Sequence, residues 1–169
     1  MGRISWPISD VYPPATNGAA PDEFPTSLRR AFAFDMTTGE SIFICGYVPQ
    51  DYRGDGTLKI RLPAGCSGTS ATTGWAVDVF TEFLTPDAAT PEALNTDANV
   101  DSTADSGQVD FSTVAWGCET ITVTLTPATT PVAGDLWRIK VTRDVADAGD
   151  DFAGDVLLDV DGLEVYEEV

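Results

Sequence analysis

The feature that most constrains this chain is a two-residue rhythm. Trp75, Val77, Val79, Thr81 and Phe83 alternate with Ala76, Asp78, Phe80, Glu82 and Leu84. Leu136, Arg138, Lys140 and Thr142 alternate in the same way with Trp137, Ile139, Val141 and Arg143. Successive side chains of a strand point to opposite faces, so these stretches bury one face and wet the other. A surface helix needs apolar positions three and four apart, and no convincing stretch of that kind occurs.

The rhythm extends over most of the chain. Arg30 to Phe34 places Phe32 and Phe34 on one face. Ser41 to Val48 is a near-continuous apolar run with Ile42, Phe43, Ile44 and Tyr47, as in a strand buried on both faces, and Pro49 ends it. Leu58, Ile60 and Leu62 alternate with Thr57, Lys59 and Arg61. Val109, Phe111 and Thr113 suggest a short strand, and Ile121, Val123 and Leu125 share a face of another. Val156 to Tyr166 closes the pattern, with a bulge or bend expected at Asp161-Gly162. Residues 86–108 read as a long excursion with a short helical turn near Pro91–Leu94. About eight or nine strands separated by turn residues predict an all-β, antiparallel, jelly-roll-like sandwich. A parallel sheet would need helical crossovers, which the pattern lacks.

The first 28 residues differ. Pro7, Pro13, Pro14, Pro21 and Pro25 exclude a helix or a central strand. Trp6, Ile8, Val11, Tyr12 and Phe24 are too many large apolar residues for a free linker. An extended N-terminal arm, 1–28, followed by a sandwich, 29–169, is the expected organisation. Trp6, Ile8, Val11, Tyr12, Pro13, Pro14 and Phe24 are the arm's candidate contacts with its own domain, a neighbouring subunit or a partner.

Charge and composition narrow the function. The chain has 27 acidic and nine basic residues, net −18. Residues 1–61 are nearly neutral, with seven acids and six bases, and the rest carries the excess. Such a field repels nucleic acid and anionic membranes, so neither is an expected partner. No apolar run reaches the ~18 residues of a membrane-spanning helix. The opening MGRISWPISD has no apolar core of a secretory signal. Cys45, Cys66 and Cys118 are odd in number and widely spaced, so they do not form a disulfide framework. There is no histidine at all. That removes Ser-His-Asp and Cys-His catalysis and most catalytic zinc sites. No enzyme activity and no cofactor are expected.

Several residue groups remain as candidates. Asp144, Asp147, Asp150, Asp151 and Asp155 crowd one loop and could offer oxygens to calcium, although their spacing departs from the EF-hand pattern; a solvated acidic loop is the alternative. Asp78 with Glu82, or Glu82 with Glu119, could pair as acid and base, but so many carboxylates pair by chance. Trp75, Trp116, Trp137, Tyr47, Tyr52 and Tyr166 could form a sugar-stacking platform. Strand tryptophans are more often anchors of a core or a subunit interface, which is the expectation for Trp75 and Trp137. Lys59 and Arg61 share one strand face, as on a charge-protected edge strand or opposite the acids of a neighbouring subunit.

Four stretches carry a resemblance. They are Phe32-Ala33-Phe34-Asp35; Val48 to Tyr52 with the Gly-rich turn leading to Leu58–Leu62; Gly74 to Phe80; and Gly134 to Asp144 with its acidic loop. Together they resemble the capsid decoration, or cement, proteins of tailed bacteriophages over residues 29–169. The resemblance implies a homotrimeric, jelly-roll-like virion structural protein. It would bind the major capsid protein on the outer head surface, stabilise the shell, and assemble in the host cytoplasm. A carbohydrate- or receptor-binding module on the same fold is the alternative, and a tail or neck component is a third.

Overall fold

The computed structural model describes residues 2–25, 29–68, 73–86, 104–107, 109–111 and 113–169. Its strands are β1 (Arg3–Trp6), β2 (Ile8–Tyr12), β3 (Ala20–Glu23), β4 (Arg30–Phe34), β5 (Ser41–Tyr47), β6 (Thr57–Gly65), β7 (Gly74–Trp75) and β8 (Val77–Leu84). They continue with β9 (Ala104–Asp105), β10 (Val109–Asp110), β11 (Glu119–Thr124), β12 (Leu136–Arg143), β13 (Val156–Asp159) and β14 (Glu164–Glu168). Every strand pairing is antiparallel among the described residues. The helical turn expected at Pro91–Leu94 lies outside the described residues.

Two sheets form the sandwich. The larger runs β1-β14-β6-β13-β4-β3, with β11 on β6 as well. β6 is long enough that β14 pairs with Thr57–Arg61 and β13 with Ala64–Gly65, while β11 takes its other edge. The smaller sheet runs β2-β5-β12-β8-β9, and β7 and β10 form a separate two-stranded ribbon. Phe34, Ile42, Ile44, Ile60, Leu62, Trp75, Val77, Ile121, Ile139, Val141, Leu158 and Val165 point between the sheets and are almost fully buried. This is the antiparallel, jelly-roll-like sandwich that the alternation predicts.

The C-terminal break falls where glycine and aspartate suggest it. A 3-10 turn at Val160–Gly162 separates β13 from β14, and Asp159 Oδ1 accepts the Asp161 N–H at 3.1 Å. Trp75 to Leu84 is likewise two strands, because Ala76 breaks the ladder.

The division into arm and domain is corrected by the packing. Within the described residues 2–25, the strands β1, β2 and β3 are parts of both sheets. β1 edges the larger sheet beside β14, the chain crosses at Pro7, and β2 edges the smaller sheet beside β5. Proline suits this corner, because a crossing residue needs no ladder N–H. β3, with Pro21, edges β4. Trp6 is 4% exposed and meets Tyr52, Phe83 and Trp137 with ring centroids 5.3, 5.9 and 6.2 Å apart. Ile8 and Val11 pack against the same core. Burial of Trp6 in its own sandwich leaves it unavailable to an outside partner, while Ile8 and Val11 are half-buried. A side chain on Gly46 would place its Cβ 2.1 Å from the Pro7 carbonyl and 2.5 Å from Trp137, so the crossing depends on that glycine.

Candidate functional site

The functional candidate is the outer face of the smaller sheet. Alternation turns Ile42, Ile44, Val77, Val79, Trp137, Ile139 and Val141 inward, which leaves the intervening residues outside. Strand register then sets these residues in rows across the sheet. Tyr47, Leu136 and Leu84 form one row. Asp10, Cys45, Arg138 and Glu82 form the next, and Tyr12, Phe43, Lys140 and Phe80 the third. Ser41, Thr142 and Asp78 follow. With strands about 4.8 Å apart, a row of four spans about 14 Å.

The third row is aromatic with a cation inside it. Tyr12 and Phe43 rings lie 5.5 Å apart at 41°. Lys140 Nζ lies 5.7 Å from the centre of the Phe80 ring, and Arg138 Cζ lies 5.0 Å from that of Phe43. Arg138 Nη2 also bonds Glu82 Oε2 at 2.7 Å. Tyr12 is 37% exposed and Tyr47 54%, while Phe43 and Phe80 are half-buried. Partial burial pushes the Tyr12 hydroxyl above the ordinary phenol range, and its contact with Cys45 adds to the shift. Burial likewise raises the Cys45 thiol. Both groups are therefore neutral hydrogen-bonding groups at neutral pH, rather than nucleophiles. A depression of about 280 Å³ opens beside them, between Ser9, Tyr47, Leu84, Leu136 and Arg138. Shallow apolar ground with a few fixed polar groups is the chemistry of a binding surface.

The other candidates separate. Trp75 and Trp137 are core anchors, 0% and 2% exposed, and Trp75 stacks on Phe111 at 6.4 Å. Tyr166 is buried beneath Arg3, whose Cζ lies 3.6 Å from its ring centre, and Tyr52 packs on Trp6. Trp116 is exposed far along the chain in another setting, edge-on to Phe24 at 6.3 Å. Of the expected sugar platform, the smaller sheet's outer face presents Tyr47. Phe24 covers Ala31, Ala33 and Leu157 of the larger sheet, and Pro13 and Pro14 abut Gly18.

Lys59 and Arg61 lie on β6, which has neighbours on both sides and is not an edge. Lys59 pairs with Glu168 and Arg61 stands opposite Glu164, both on this chain's own β14. The strand face is therefore answered from within the chain. Glu82 and Glu119 belong to different sheets and do not meet; Asp78 and Glu82 share an outer face with Phe80 between them.

The acidic loop is held by protein donors. Arg143 is fully buried and bonds Asp150 at 2.6 and 2.8 Å, and it also donates to the carbonyls of Phe34, Phe152 and Gly154. Asp147 accepts from Gly149, Asp144 from Ala146, and Asp151 from Gly74. These carboxylates serve as loop braces. No group of three potential ligands stands together for a metal among the described residues.

Sequence reasoning missed Phe43, Phe80, Arg138 and Lys140 as site residues. The signal was present: Phe80 sits in the polar phase of its strand, between Asp78 and Glu82.

The molecule is thus an antiparallel β-sandwich with one aromatic-and-charged outer face. No family model and no curated protein matches the sequence. Among solved structures it is similar to the Stig cyclase Fisc from Fischerella sp. TAU, at 14% identity, TM-score 0.46 and coverage of 99% of this chain and 98% of that one. It is also similar to the xylan-binding module CBM15, at 11% identity and TM-score 0.45, over 98% and 95% of the two chains. The mannan-recognising carbohydrate-binding module TmCBM27 gives 8% identity and TM-score 0.39, over 100% and 97%.

Proposed function

We propose that this protein is a non-catalytic glycan-binding module whose ligand lies across the strands of the smaller sheet. The row Tyr12–Phe43–Lys140–Phe80, beside the Arg138–Glu82 pair, is the observation that carries this reading. Aromatic rings offer flat apolar ground to the C–H face of a sugar ring. A guanidinium and a carboxylate at fixed spacing offer directed donors and acceptors to its hydroxyls. The absence of histidine fits adhesion better than acid–base turnover at neutral pH. A glycan array probed with the full chain tests the reading. Saturable binding to a defined saccharide family supports it, and a blank array, repeated with polysaccharide pull-downs, rejects it.

The resemblance to phage decoration proteins supports attachment to a capsid as a second reading. Since Trp6, Ile8 and Val11 are packed in the chain's own core, that attachment would have to use an outer face. Density at many symmetry-related positions on a phage head is the expected outcome, and its absence from intact particles would reject that role.

A further inference from the structure

Among the described residues, six of the nine basic residues are in salt bridges: Arg3, Arg29, Arg30, Lys59, Arg138 and Arg143. Of the other three, Arg53 and Arg61 are exposed, where water solvates the charge. Lys140 is half-buried, and among the described residues no carboxylate lies within 4.0 Å of it. In a chain with 27 acids, a partly desolvated ammonium left without one is a conspicuous vacancy in charge matching. Its nearest company is Phe43 on β5 and Phe80 on β8, directly across in register. Glu82 and Asp78 are its diagonal neighbours, about 7–8 Å away between facing side chains. Glu82 is already occupied by Arg138, and Asp78 stands opposite Thr142.

We infer that the preferred ligand is an anionic glycan, and that its carboxylate or sulfate group is seated on Lys140 between the Phe43 and Phe80 rings. This inference rests on the glycan-binding reading and names the ligand class of the same site. The rings would hold the sugar's apolar face, while the ammonium donates charge-assisted hydrogen bonds to the acid group. The chain's acidic field opposes an anion at long range, where salt screens it. The contact ion pair is strengthened by the aromatic walls, which replace water that would otherwise weaken it.

Titration calorimetry with the full chain tests this. The probes are a galacturonic acid oligomer, its fully methyl-esterified neutral form, and a sulfated oligosaccharide of similar length. The expected result is about tenfold tighter binding of an anionic probe than of the neutral form, the scale of one hydrogen bond to a charged group. Preference for the first or third probe separates carboxylate from sulfate. Lys140→Gln should abolish the preference, and Lys140→Arg should keep most of it. Equal affinity for charged and neutral probes overturns the inference while leaving the glycan reading intact. So does an anionic preference that survives in Lys140→Gln, or binding confined to other, neutral saccharides. Failure to bind any saccharide removes both. The comparison of charged with neutral probe uses the unaltered chain, so it stands even if a variant folds poorly.

Discussion

The two outer faces of the sandwich are built from the same alternation and finish differently. On the larger sheet Arg3, Lys59 and Arg30 are answered from within, while Arg61 is left to water. Arg3 bonds Glu164 at 2.5 Å and lies over Tyr166, Lys59 pairs with Glu168, and Arg30 bonds Asp161 at 2.8 Å. On the smaller sheet, Arg138 has Glu82, but among the described residues Lys140 faces the Phe80 ring and no carboxylate within 4.0 Å, and Tyr12, Phe43 and Tyr47 are turned outward. A face whose groups satisfy one another gains little from a partner. A face that leaves an ammonium and several rings unfinished gains much. Substitutions in the closed regions should therefore cost stability, and substitutions on the open face should cost binding.

The largest effect is expected at Arg143. Its side chain is 0% exposed and that of Asp150 2%, and the guanidinium also ties three backbone carbonyls. Arg143→Met strands a buried carboxylate, which costs roughly 3–5 kcal/mol. Urea unfolding should show the loss; a change below about 1 kcal/mol would mean that the loop is braced some other way. Trp6→Ala follows, at about 3–5 kcal/mol for emptying a packed aromatic site. This variant also reports on the N-terminal segment. If stability were unchanged, β1 would be a detachable arm after all.

On the open face the signs reverse. Phe43→Ala combined with Phe80→Ala should lower affinity for a bound saccharide by more than about tenfold, because two stacking surfaces are lost together. Its melting temperature should fall far less than that of Trp6→Ala, since both rings are only half-buried. Equal damage to both properties would show that the rings serve the fold rather than the ligand.

The contrast also explains what could be read from the chain. β8 and β12 were legible because each carries a complete period-two pattern, and their faces follow from it. The open face was not, because it is assembled by register: Tyr12, Phe43, Lys140 and Phe80 come from four strands. Local sequence says that Phe43 lies in an apolar run, not that it looks outward beside a lysine about a hundred residues away. The same limit applied to Lys59 and Arg61, whose answering acids lie over a hundred residues on. The N-terminal prolines exclude a central strand, yet composition alone read the stretch as a separate arm and could not say that its strands join the two sheets. Arg143 was a readable exception. It occupies the apolar phase after Trp137, Ile139 and Val141, and a buried cation requires a carboxylate close by.

The smallest effect concerns the closed face and its pH dependence. The hydrogen bond from Lys59 holds the Glu168 carboxyl below its ordinary value of 4.5, and the bond to Glu168 holds the Lys59 ammonium above its ordinary 10.5. A lowered acid contributes stability that is present above pH 4.5 and fades as pH falls through the lowered value. A raised base contributes stability that is present below pH 10.5 and fades as pH rises through the raised value. Between those limits the pair's contribution should be flat. Glu168→Gln should therefore lower the melting temperature slightly at pH 7 and have no effect below the acid limit, where the carboxyl is already protonated. Thermal scans of both proteins across the acid range would show their curves converging. Curves that stay parallel would mean that the pair is merely geometric and that the closed face owes its stability to packing, as with Tyr166 beneath Arg3.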